Sequence, residues 1–173
     1  MNNLELLAPA GNLERLKVAL AYGADAVYAG GDAFSLRVRA KNFSQKDLEE
    51  AVSYTHARNK KFYLTANIIL HNEDIDNFIT FLKEANTLGP DALIISDPGA
   101  FTLAKEFAPD IPIHISTQAN NVNYATVNFW HKQGASRVVL ARELSLDAVK
   151  TIREKTDASL ELEAFVHGAM CIS

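Results

Sequence analysis

The chain has 173 residues, 48% of them hydrophobic and 22% charged, with 17 Lys+Arg against 21 Asp+Glu for a net charge of −4. This composition excludes disorder, and the length suffices for one sizeable core that buries ~70% of the unfolded surface. A single Cys excludes an internal disulfide framework and a zinc finger built from this chain alone, and the acidic balance excludes a generally basic nucleic-acid binder.

The start, Met1-Asn2-Asn3-Leu4-Glu5, lacks the basic region and long apolar core of a signal peptide. No apolar run approaches the ~18 residues of a membrane span. A cytoplasmic protein with no membrane partner is expected.

In chain order, short apolar runs alternate with amphipathic segments. The apolar runs are 4–8, 24–29, 61–68, 92–96, 111–116, 137–141 and 160–166. They are rich in Val, Ile, Leu, Phe and Tyr, and several have hardly a charge inside, as strands buried on both faces do. Between the first two, Asn12 caps a helix that shows Leu13, Leu16 and Leu20 and stops at Gly23. Ser44 with Asp47 forms a capping box ahead of Leu48, Ala51 and Val52. Ile75, Phe78, Ile79 and Leu82 share one helical face that ends at Gly89-Pro90. Asp97-Pro98 is a cap followed by Pro at the first helical position. Asn120, Asn121 and Asn123 stand where the next helix must begin, before Tyr124 and Val127, with a stop at Gly134. Ser145 opens the last helix, with Leu146, Val149 and Ile152 as its apolar side.

Strand, helix, strand in repetition means parallel pairing with right-handed crossovers, in an open doubly wound sheet or a barrel. No Gly-x-Gly-x-x-Gly follows the first strand, which removes a dinucleotide cradle. Strand starts recur roughly every 20–37 residues, close to the ~30 of a barrel repeat. The predicted fold is therefore a (β/α) TIM-barrel-like domain over 1–173, with seven of about eight repeats. Residues 171–173 follow closely on the seventh run with no closing helix, so a truncated piece of a longer protein is expected. Its two unpaired sheet edges predict self-association.

In parallel architectures the chemistry sits at the carboxyl ends of the strands. There the sequence places Arg37 and Arg39, His114, Gln118, Arg142 with Glu143, Glu163, His167 and Cys171. Arg37 and Arg39 are one residue apart, so in extended structure both face one side and suit an anion; a solvated loop is the alternative. His114 lies inside an apolar run and reads equally as a core or a catalytic histidine. Glu163 sits between Leu162 and Ala164, where a carboxylate calls for a buried partner such as an Arg. Adjacent strand positions would turn Arg142 and Glu143 to opposite faces. His56 and His131 fall on helices and read as surface or packing residues. A serine hydrolase would need Ser116 or Ser35 with His114 or His167, but no Gly-x-Ser-x-Gly elbow is present. A Cys171–His167 thiol–base pair requires a helix or tight turn.

The segment Glu163-Ala164-Phe165-Val166-His167-Gly168-Ala169-Met170-Cys171 resembles the front of the signature of the U32 family, historically called collagenase-like peptidases. Leu7-Ala8-Pro9-Ala10-Gly11, Tyr22-Gly23-Ala24-Asp25-Ala26-Val27-Tyr28, Ser35-Leu36-Arg37-Val38-Arg39, Ser96-Asp97-Pro98-Gly99 and Arg142-Glu143-Leu144-Ser145 resemble further blocks of that family. Pro112-Ile113-His114-Ile115-Ser116-Thr117-Gln118-Ala119-Asn120 is similar to its tRNA-modifying branch. The resemblance implies a barrel-like N-terminal domain and oxygen-independent hydroxylation of wobble uridine at its 5-position in tRNA. It also implies prephenate as hydroxyl source and a 4Fe–4S cluster held by four cysteines. Cys171 matches the first of these, so this chain alone is expected to lack the cluster and to be inactive. Arg37, Arg39, Arg142, His114 and His167 are then the expected clamps for a small carboxylate, beside Gln118 and Glu163. A U32 peptidase is the alternative activity, and a non-catalytic assembly module a further one.

Overall fold

The computed structural model describes residues 4–31, 33–35 and 43–168. Among them strands and α-helices alternate, in two compact units, Met1–Ile111 and Pro112–Ser173.

The first unit runs β1 (Leu7–Pro9), α1 (Leu13–Ala21), β2 (Ala26–Gly30), α2 (Gln45–His56), β3 (Lys61–Thr65), α3 (Ile75–Leu88), β4 (Ala92–Ile95) and α4 (Pro98–Phe107). Its strands pair in chain order and in parallel, with Leu7 beside Ala26, Ala26 beside Lys61 and Tyr63 beside Ala92. β3 is buried but for Lys61, and β4 throughout, which is why their sequences show apolar runs rather than alternation. Ala26, Tyr63, Ala92 and Ile94 form one cluster, against which Leu7 and Tyr28 pack. The Tyr63 hydroxyl donates to Glu5 Oε1 at 2.8 Å, which satisfies the polar end of a buried ring. Phe62, Leu64, Leu93 and Ile95 alternate with these positions and are fully buried as well.

Turn chemistry sets the helix limits. Asn12 Oδ1 accepts from the Arg15 N–H at 2.8 Å, and Asp97 Oδ1 from the Ala100 N–H at 2.8 Å. Gly89 closes α3 at φ 70°, a left-handed conformation that suits glycine. Gly30 has no room for a side chain, since a Cβ there would collide with the fully buried Ser35. Asp47 Oδ2 accepts from the Ser44 hydroxyl at 2.7 Å and the Ser44 N–H at 3.1 Å, and the Ser44 hydroxyl accepts from the Asp47 N–H. His56, on the same helix, meets Asp91 at 2.9 Å, a surface role as expected.

The second unit runs β5 (Ile113–Ile115), a 3₁₀ turn (Thr117–Ala119), α5 (Tyr124–Gln133), β6 (Arg137–Val139), α6 (Leu146–Glu154) and β7 (Glu161–Glu163). These strands are also parallel and in chain order, with His114 beside Arg137 and Arg137 beside Glu161. Asn123 Oδ1 accepts from the Thr126 N–H and the Ser145 hydroxyl from the Ala148 N–H, so both caps fall where the sequence puts them. Leu146 departs from expectation. As the first residue of α6 it precedes the buried stripe and is 88% exposed. The same parallel β/α repeat builds both units, and the fold is TIM-barrel-like, as read from the sequence.

Asn121 is not the helix-start residue its surroundings suggest. β5 leaves the sheet after Ile115, and the chain returns at Asn121 to occupy the vacated ladder position. Its side-chain amide donates to Ser116 O at 3.0 Å and to Val139 O at 2.8 Å, and its backbone carbonyl accepts the Ala141 N–H at 3.2 Å. The residue is completely buried.

Two outcomes follow. The Ser44 hydroxyl first, then the Ser44 N–H, holds the Asp47 carboxyl below its ordinary 3.8. A lowered folded-state value means stability that is present above 3.8 and lost as pH falls through the lower folded value. The difference in unfolding midpoint between wild type and Asp47→Ala is thus expected to be full at neutral pH and to shrink below pH 3.8. For Asn121→Ala, which removes the donor to the buried Val139 carbonyl and leaves Ser116 O with the Ala119 N–H alone, denaturant unfolding is expected to show a loss of about 1–3 kcal/mol. Asn121→Asp is expected to lose more as pH rises, because a carboxylate would face two carbonyl oxygens.

Candidate functional site

Residues in register on parallel neighbours project from the same face of the sheet. His114 on β5, Arg137 on β6 and Glu161 on β7 therefore share a face, and Glu163, two residues on, shares it too. Arg137 is 6% exposed. Its Nε and Nη2 donate to Glu161 Oε2 at 2.8 and 2.5 Å, and its Nη1 to Glu163 Oε2 at 3.3 Å. This is the arginine partner that a half-buried Glu163 demands, and it comes from the first residue of the neighbouring strand. A buried guanidinium needs such company, since neither charge is tolerated alone in that setting. His114 is buried within the same face.

At the carboxyl ends the strands are tied to one another. The Leu140 N–H donates to Glu163 O at 2.8 Å, and the Thr117 hydroxyl to Leu140 O at 3.2 Å. Together with the Asn121 bridge, these bonds fix the backbone up to Ala141. Arg142 and Glu143 then lie in a turn beyond β6 rather than on the strand, so strand alternation does not govern them. Arg142 is half-buried, with its guanidinium carbon 4.2 Å from the centroid of the Phe165 ring. Phe165 follows β7 in an exposed stretch that also contains Val166 and His167. Gln118 is exposed on the 3₁₀ turn, where its N–H donates to the Ser116 hydroxyl at 3.3 Å.

Of the expected site residues, the structure thus brings Arg142 to Phe165 and Glu163 to Arg137, and places His114 in register with Arg137. Gln118 and His167 stand exposed on turns past β5 and β7. Arg37, Arg39 and Cys171 lie outside the described residues, and with them the Cys171–His167 pair. Ser35 is sealed beneath Gly30, and Ser116 starts the 3₁₀ turn, so both hydroxyls have structural work. Among the described residues, no group of three or more His, Cys, Asp or Glu could hold a metal ion.

Arg137 and Phe165 were not picked out from the sequence. The signal for Arg137 is a cation opening an apolar strand, with Glu-x-Glu opening the next. Phe165 stands just past β7, as Arg142 stands just past β6. The arrangement offers a cation–aromatic pair past the strand ends, and an ion network in which one guanidinium meets two carboxylates; the first is suited to a planar ligand.

Residues 11–173 match the model of peptidase family U32. The chain is 50% identical over 169 residues to tRNA hydroxylation protein P of Escherichia coli, covering 98% of this chain and 37% of that protein. It is 38% identical over 172 residues to a 23S rRNA 5-hydroxycytidine synthase of the same organism, covering 99% of this chain and 25% of that protein. The chain thus spans well under half the length of these curated relatives. A solved U32 peptidase structure matches with a TM-score of 0.77 at 16% identity, over 94% of this chain and 68% of that one, a likeness of fold. With the strand-end blocks, the parallel β/α repeat and a family match over nearly every residue in agreement, the chain belongs to peptidase family U32.

Proposed function

We propose that the chain is the barrel portion of an RNA base hydroxylase that acts on tRNA, modifying wobble uridine at its 5-position. The observation that carries this reading is identity along almost the whole chain to two proteins named for hydroxylating RNA bases. The carboxyl ends of the strands supply matching chemistry. Arg142 packs its guanidinium over the Phe165 ring, while Arg137, from the start of β6, bonds Glu161 and Glu163 and orients them. His114 and His167 supply imidazoles, and Gln118 an amide, on elements that end at the same side of the second unit's strands. Arg37 and Arg39 add cationic groups suited to a small carboxylate such as prephenate, the proposed hydroxyl source.

A four-cysteine iron–sulfur cluster takes four thiolates, and this chain has one, Cys171. Its own residues therefore do not fit the complete group. In this reading Cys171 is one ligand, with the other three supplied from outside the chain.

The test uses a strain that lacks the complete protein, with nucleosides of its digested tRNA read by mass spectrometry. Loss of the 5-hydroxyuridine family is expected, with recovery on return of the wild-type gene. Cys171→Ala is expected not to restore it, and Arg142→Gln to restore about a tenth or less, as for a lost charged contact of about 1.4 kcal/mol or more. Unchanged nucleosides in the deletion strain would overturn the reading. Gelatin cleavage by the pure protein that disappears in His167→Ala would replace it with a peptidase.

A further inference from the structure

The Arg142–Phe165 pair is built like one half of a sandwich. The guanidinium covers the ring from one side at 4.2 Å, yet 36% of Phe165 stays open to solvent. The exposed part of this ring is apolar surface that a planar ligand can cover. Its position is not loose. The backbone before it is held by the Leu140–Glu163 bond, and the backbone before Arg142 by Asn121. Two separate loops thus converge to present one flat apolar surface, backed by a cation, at the end of the strands where catalysis takes place in this fold class.

We propose that the open face of Phe165 is a stacking platform for one unpaired nucleobase of the RNA substrate, and that Arg142 fixes the ring from behind. The proposal deepens the hydroxylase reading and rests on it. A base must leave its stack before an enzyme can reach its ring atoms, and the extruded base needs a π surface to replace the neighbours it has lost. Phe165 offers that surface without a hydrogen-bonding group of its own. It therefore fixes the plane of the base, while the edge of the base stays available to polar side chains such as Gln118 or His167. The guanidinium behind the ring adds cation–π attraction. Stacking of this kind tolerates any base, so Phe165 contributes affinity and orientation, and the choice of base falls to the polar groups around it.

The experiment measures binding of the complete protein to a fluorescein-labelled tRNA anticodon stem-loop by anisotropy, with the stem-loop intact or carrying one abasic nucleotide at the target position. Wild type is expected to bind the intact loop about 5- to 100-fold more tightly than the abasic one. Phe165→Leu is expected to bind both alike, at the abasic level, and Phe165→Tyr to keep the preference. A Phe165→Trp variant gives a second readout, since its emission is expected to be quenched by the intact loop and much less by the abasic one. Equal preference in wild type and Phe165→Leu would overturn the platform while leaving the hydroxylase reading in place. Failure of wild type to bind either RNA would overturn both. Because Phe165→Leu must still bind the abasic loop as tightly as wild type does, a folding defect in the variant cannot imitate the result.

Discussion

Two hydrogens on one buried side-chain amide hold the carboxyl ends of β5 and β6 together. When β5 turns out of the sheet, Ser116 O and Val139 O would be left without a strand between them, and Asn121 donates to both. Its backbone carbonyl then takes the Ala141 N–H. The proposed Arg142–Phe165 platform rests on this repair. The repair decides where β6 ends, so it decides where the turn with Arg142 begins, and so where a guanidinium can meet Phe165. Backbone groups buried without partners cost enough that the sheet could not end so abruptly otherwise.

Much of this was legible in the chain itself. The apolar runs each overlap a strand; β2 to β6 are largely buried on both faces, which leaves little room for charge, whereas β1 and β7 are part exposed. The caps at Asn12, Ser44, Asp97, Asn123 and Ser145 are local chemistry that needs no tertiary knowledge. What escaped depends on register. Arg137 and Glu163 are 26 residues apart, and only the pairing of Arg137 with Glu161 shows that one guanidinium spans both carboxylates. Asn121 was hidden differently. A cap and a ladder substitute use the same short polar side chain, and sequence position cannot tell which backbone groups it will reach. Phe165 was absorbed into the run at 160–166, whose strand stops at Glu163.

The electrostatics also divide along lines that composition conceals. A net charge of −4 argues against an RNA partner only if charge is spread evenly. Here one cation is buried against two carboxylates and set to orient them, while another is held at the surface end of the fold beside an aromatic ring.

The helix caps have a further consequence for anion recognition. In a β/α repeat each helix that follows a strand begins on the carboxyl side of the sheet, and free amides there are the usual grip for a phosphate. In α1, α2, α4, α5 and α6 a side chain of the chain itself already occupies an amide of the first turn. A phosphate that approaches these helix starts meets one first-turn donor already engaged at each, which shifts part of the grip to long basic side chains. In such a scaffold, a change in cationic side chains can retune which polyanion is accepted without disturbing a single helix.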